Sequence, residues 1–203
     1  MKLVVGTKSK SSWSLRPYLA LAHVGVPFEE QVIDLDRPDT HAEIRKVSPA
    51  GLVPILFDGD LMIWDSLAIC EYLAERFPEA QLWPADSATR ARARSVSAEM
   101  HSGFSAMRRA FSFDLTRSRA GENHTPEALA DCARVMEIWR DCRARANGGP
   151  FLFGAFSIAD CMYAPVTARF TTYGVPMDDV ARAYVATIDA LPGMQAWRRA
   201  AAT

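Results

Sequence analysis

At 203 residues the chain is long enough for one large domain or two small ones, and 49 % hydrophobic against 23 % charged residues is the balance of a soluble globular protein whose core needs no disulfide or metal staple. A formal net charge of −1 excludes bulk attraction to nucleic acid or to an anionic membrane. No stretch approaches the ~20 apolar residues of a membrane span, and the N-terminal residues lack the apolar run of a signal peptide.

The first apolar run, residues 3–6, predicts a short buried strand. Leu15, Tyr18, Leu19 and Ala22 then recur at helical spacing; Pro17 falls in the first turn, where its missing N–H costs little, and Gly25 followed by Pro27 stops the helix. Residues 28–35 predict a second strand, and Thr40-His41-Ala42-Glu43 has the spacing of a capping box that opens a short helix. Residues 55–57 and 61–63 flank Asp58-Gly59-Asp60, a strong hairpin signal. Asp65 or Ser66 caps the next helix, which carries Leu67, Cys70, Leu73 and Phe77 on one face and ends before Pro78. The order β-α-β-α-β-β-α closes most naturally as a mixed sheet with helices on both faces.

After a linker at 79–85 no strand signal remains. Long helices are predicted at 86–118, 126–146, 157–173, 178–190 and 192–202, with Gly148-Gly149-Pro150 as a break and Ser157-Ile158-Ala159-Asp160 as a second capping box. Arg90, Arg92, Arg94, Arg108, Arg109, Arg117 and Arg119 read as a solvated helix face. Cys70, Cys132, Cys142 and Cys161 form no C-x-x-C pair and lack histidines at zinc spacing, so no metal site is expected; they read as small buried hydrophobes in a reducing, cytoplasmic setting.

Three short motifs stand in order in the first 75 residues: Ser11-Ser12-Trp13-Ser14-Leu15-Arg16 before the first helix, Ser48-Pro49-x-Gly51-x-Val53-Pro54-x-Leu56, and Asp65-Ser66-x-Ala68-Ile69 at a helix start. Together they resemble the cytosolic glutathione S-transferase family, in its serine-type group, with a distant likeness to zeta and theta members. The resemblance implies a thioredoxin-like α/β domain at 1–78 that binds glutathione, an all-helical domain at 86–203 that lines a second-substrate site, and a homodimer.

Catalysis by such a protein needs the ligand's thiol as thiolate, although a free thiol with a pKa of about 8.5 is only a few per cent ionised at neutral pH. Lowering that value by about two units takes roughly 2.7 kcal/mol of preferential thiolate stabilisation. A hydroxyl aimed at the sulfur and a helix N-terminus each supply part of it. The resemblance assigns that hydroxyl to Ser11, 14 residues before Gly25, as a donor and not a nucleophile; no histidine lies nearby in sequence to act as its base, which disfavours a hydrolase. Ser12 and Ser14 are rivals for the same role, one of them serving as the helix cap. The implied glutathione-binding set is Ser12, Trp13, Val53, Pro54, Asp65 and Ser66. In the resembled fold a cis bond precedes Pro54, so that the Val53 backbone pairs with the cysteinyl backbone of the ligand, the Ser66 hydroxyl and its helix start bind a carboxylate, and Asp65 balances the ammonium. The second-substrate set is His101, Phe104, Met107, Arg108 and Phe111, read as one face of the first long helix, together with Trp13.

Two positions depart from the pattern. Leu52 stands where related sequences carry Lys, Arg or Gln, leaving His41, Arg45 or Lys46 to replace the contact. Trp13 stands where the zeta isomerases carry a cysteine, which counts against maleylacetoacetate isomerase activity; thiol-dependent members carry cysteine near position 11, which counts against a glutaredoxin-like role. The expectation is conjugation of glutathione to a small apolar electrophile, with peroxidase activity by the same thiolate close behind. A non-catalytic binding or scaffold protein is the alternative from another class.

Overall fold

The computed structural model describes residues 1–146 and 148–202. Strand β1 (Lys2–Gly6) lies between β2 (Glu29–Ile33), parallel to it, and β3 (Ile55–Asp58), antiparallel to it; β4 (Leu61–Trp64) pairs antiparallel with β3 and forms the edge. The order β2-β1-β3-β4 is the mixed sheet the sequence predicts, and the D-G hairpin forms at residues 58–61. Leu3, Val4, Val5, Ile55 and Leu56 are fully buried, because helices cover both faces of these central strands.

Helix α1 (Ser12–Val24) runs from the end of β1, and Gly25 closes it in the left-handed conformation that a glycine accepts without a Cβ penalty. Helix α2 (Thr40–Val47) forms where predicted, but not through the predicted capping box. Thr40 is the first helical residue, after Asp39, and its hydroxyl donates back to the Asp34 and Arg37 carbonyls, so the bond to the helix start is never made. Helix α3 (Ser66–Arg76) buries Ser66, Ile69, Cys70 and Leu73.

The predicted helix 86–118 is two helices, α4 (Ser87–Ser102) and α5 (Ser105–Ala110), followed by irregular chain. Glycine permits the break. A Cβ on Gly103 would stand 2.7 Å from the Glu99 carbonyl oxygen, and Phe104 adopts φ 59°, which turns the chain. Helices α6 (Pro126–Arg145), α7 (Ile158–Tyr173), α8 (Asp179–Asp189) and α9 (Pro192–Ala201) follow the predicted spans closely. α7 is buried almost from end to end, and it packs with α1 at the junction of the two halves. α9 returns to α1: Trp197 donates its indole N–H to the Lys8 carbonyl at 2.9 Å and its ring lies 4.8 Å from that of Tyr18. No helix of the described residues is long and apolar enough to cross a membrane.

The second capping box forms as read. Asp160 accepts from Ser157 N (2.9 Å), Ser157 Oγ (3.0 Å), Leu152 N (3.1 Å) and Tyr184 Oη (3.0 Å), so one carboxylate ties the start of α7 to the preceding loop and to α8. Burial holds its carboxyl up at about 6 despite these donors. Asp160→Ala leaves four buried donors unpaired and is expected to lower the unfolding free energy by about 3 kcal/mol in urea denaturation; a loss below about 1 kcal/mol contradicts the assignment. The pH dependence has a fixed sign. The folded state takes up this proton near pH 6 and the unfolded state only near 4, so wild type gains stability over Asp160→Asn as pH falls between those values, and the difference is flat above pH 6.

Candidate glutathione site

A cavity of about 450 Å³ opens between the sheet and α4, lined by Trp13, Ala50, Leu52, Val53, Pro54, Trp64, Asp65, Ser66 and His101. It collects six of the predicted residues from four separate segments. The Val53–Pro54 bond is cis. Asp65 holds φ 74° without being a glycine, a conformation that persists where the surroundings over-determine it. Its Oδ1 accepts from Leu67 N (2.9 Å) and Ala68 N (3.2 Å) and so starts α3. Next to it the Ser66 hydroxyl is buried and has no hydrogen-bond partner. A buried orphan hydroxyl at a helix N-terminus is a donor waiting for an anionic group.

The head of α1 is built differently from expectation. Ser11 is its N-cap, and its hydroxyl donates to Ser14 Oγ at 2.7 Å; Ser14 Oγ accepts in turn from Gly6 N at 3.2 Å. Ser11, Ser12 and Ser14 are all buried, and Trp13, not a serine, forms the cavity wall. Ser12 Oγ accepts a long 3.4 Å bond from the Arg169 guanidinium.

Trp13 is held between two cations, with Arg16 4.1 Å and Arg108 4.6 Å from its ring centre and the edge of His101 5.3 Å away. Arg16 and Arg169 are buried, and Arg16 Nε and Nη1 and Arg108 Nε have no partner. Burial first, and then mutual repulsion among Arg16, Arg108 and Arg169, pushes the Arg16 guanidinium well below its ordinary range; burial and Arg108 bring Arg169 down to about 9. The surface-run reading of the arginines fails here, because Arg108 turns inward and donates to the Met100 and His101 carbonyls. Arg92 pairs with Asp141, Arg94 with Glu71 and Arg119 with Glu122.

The second-substrate set does not assemble as one face. Met107 and Phe111 are fully buried and Phe104 nearly so; Phe111 stacks on Tyr173 at 4.6 Å. These three are core, because the turn at Gly103 and Phe104 ends the helical register that would have aligned them with His101. His101 and Trp13 line the cavity, while Arg108 reaches it through Trp13. Sequence reasoning missed Arg16 and Arg169 as site residues. The readable signal was a lone arginine inside an otherwise apolar helical stretch, Leu15-Arg16-Pro17-Tyr18-Leu19 and Ala168-Arg169-Phe170, since unpaired buried arginine is rare without a function. Among the described residues no group of three or more His, Cys, Asp or Glu stands close enough to hold a metal.

Residues 10–76 match the family "Glutathione S-transferase, N-terminal domain" and residues 122–200 "Glutathione S-transferase, C-terminal domain". Glutathione S-transferase 1 of Dianthus caryophyllus is 41 % identical over 92 residues, 45 % of this chain and 41 % of that protein. A probable maleylacetoacetate isomerase of Caenorhabditis elegans is 36 % identical over 96 residues, 47 % of this chain and 44 % of its own length. The chain thus spans less than half the length of these relatives. A glutathione transferase homolog from Burkholderia, solved with bound glutathione, superposes with a TM-score of 0.75 at 25 % identity, covering 98 % of this chain and 96 % of that one.

The orphan hydroxyl of Ser66 gives a direct test. Ser66→Ala removes no intramolecular bond, so unfolding free energy is expected to stay within about 0.5 kcal/mol of wild type while glutathione affinity falls about tenfold in calorimetric titration. A stability loss with unchanged affinity contradicts the assignment.

Proposed function

The chain belongs to the glutathione S-transferase family, and on that premise we propose that it binds glutathione in the Trp13–Asp65–His101 cavity and transfers its thiolate to a small apolar electrophile. The observation that carries the reading is the unpartnered Ser66 hydroxyl at the start of α3, in the same cavity wall as Val53 and Asp65. In this reading Ser66 and the α3 N-terminus take the γ-glutamyl carboxylate, Asp65 faces the ammonium, and the Val53 backbone pairs with the cysteinyl unit beside the cis Pro54. Arg45 is the residue that replaces the polar contact absent at Leu52, since its side chain packs within 3.7 Å of the Cβ position at Gly51.

Ser11 donates to the thiolate. The 2.7 Å Ser11–Ser14 pair reverses its donor direction by rotating two hydroxyls, which gives a chain from Gly6 N–H through Ser14 to Ser11 and frees the Ser11 proton for sulfur. The buried guanidiniums of Arg16 and Arg169 add a positive field at the same helix head. Leu52 and Trp64, 69 % and 47 % exposed, supply the apolar rim for the second substrate. The same exposed edge, with Leu61 and Met62 on β4, supports self-association as a homodimer, and four buried free cysteines suit a reducing, cytoplasmic setting. Hydroperoxide reduction is a second activity open to the same thiolate. Isomerisation of a maleyl-type acid is the second reading, favoured by the nematode relative's name and by the arginine cluster, and opposed by Trp13 at the cysteine position.

Calorimetric titration with glutathione, followed by conjugation to an activated aryl chloride, tests the proposal. Ser11→Ala is expected to lose about 1 kcal/mol of stability as a cap and to slow conjugation ten- to hundredfold at neutral pH, with the bound thiol ionising at higher pH. Binding without conjugation by wild type selects the scaffold alternative; an unchanged thiol in Ser11→Ala moves the role to Ser12.

A further inference from the structure

Asp65 has one oxygen to spare. Oδ1 is committed to the Leu67 and Ala68 amides, and His101 Nε2 stands 3.2 Å from Oδ2, within ion-pair reach. Both residues line the cavity, one from the head of α3 and the other from the end of α4. The opposite ring nitrogen, Nδ1, is buried without a partner, and the Trp13 ring meets the imidazole edge-on at 5.3 Å, so Nε2 is the point by which the ring is anchored. The oxygen that a ligand ammonium requires is therefore already in use.

We infer that His101 and the ammonium of the bound ligand compete for Asp65 Oδ2, so that the charge on His101 sets the affinity of the γ-glutamyl subsite. The inference rests on the glutathione reading above. A neutral imidazole offers Asp65 only an uncharged contact, which an ammonium displaces at little cost. An imidazolium forms an ion pair with the same oxygen and repels the incoming ammonium across it. The charged groups that face His101 are Asp65 from α3, Arg108 from α5, whose guanidinium donates to the His101 carbonyl at 3.3 Å, and Arg16 from α1 across Trp13; Arg169 from α7 lies behind them. Asp65 is the one acid in this group, so an imidazolium here has no other anion to pair with.

Calorimetric titration with S-methylglutathione, which has no thiol to ionise, reads the competition. Between about pH 7 and pH 5.5 wild type is expected to weaken about fivefold, the equivalent of an ion pair of ~1 kcal/mol. His101→Gln should hold nearly the same affinity at both values, and any titration of the ligand itself appears in that variant too. His101→Phe keeps the ring against Trp13 and serves as the second variant if the first is unstable. An equal pH ratio in wild type and in both variants overturns the inference while leaving the glutathione reading intact. Absence of S-methylglutathione binding in wild type at either pH overturns both.

Discussion

The structure turns on how much positive charge is buried at the head of α1. Three guanidiniums, those of Arg16, Arg108 and Arg169, gather there beside a helix N-terminus whose own field has the same sign. Burying an unpaired cation costs several kcal/mol even after relaxation. The fold offsets part of that cost locally. Trp13 presents a π-face to each of two cations, worth about 0.5–2 kcal/mol apiece, and main-chain carbonyls of Met100, His101 and Phe111 accept from Arg108 and Arg169. What remains uncompensated is a field that favours an anion.

That field depends on both halves of the chain meeting in one place. α1 packs on the sheet, α3, α7 and α9, so it is the element through which the strands and the helical half touch. Arg169 reaches it from α7, Arg108 from α5 and Arg16 from α1 itself. A few ångströms of shift between the halves would move the cations off Trp13 and open the cavity wall. The Trp197 bond to the Lys8 carbonyl and the Asp160 network each fix one side of this junction, far from the cavity they serve.

A second helix head faces the same cavity with a different offer. α3 begins with its first amides capped by Asp65 and the Ser66 hydroxyl open. In the proposed function this head takes the end of the ligand that carries a carboxylate and an ammonium, and the thiolate lies toward α1. The cis Val53–Pro54 segment lines the same cavity, between Trp13 of α1 and Asp65 and Ser66 at α3 in the wall.

The α/β half was legible because its signals are local: a D-G hairpin, a glycine stop, an apolar strand bounded by polar chain. Val53, Pro54, Asp65 and Ser66 were legible as a set because their order and spacing carry the family resemblance. The second-substrate face was not. Its helical periodicity continues through Gly103 in the sequence, whereas the chain turns at Gly103 and Phe104 and sends Met107 and Phe111 into the core. Arg16 and Arg169 each carry a local signal, an arginine among apolar residues, but their meeting across more than 150 residues is encoded by no local pattern. The role of Ser11 is an implication of the family resemblance, whereas its cap position and its bond to Ser14 are visible only in three dimensions.

In the proposed function this positive field is completed by the ligand's thiolate. That claim is tested most directly by following the thiolate absorbance of bound glutathione as a function of pH. A bound thiol that ionises about two units below the free value of about 8.5, with the shift much reduced in Arg16→Met, is the predicted result. A bound thiol that titrates like free glutathione would contradict it.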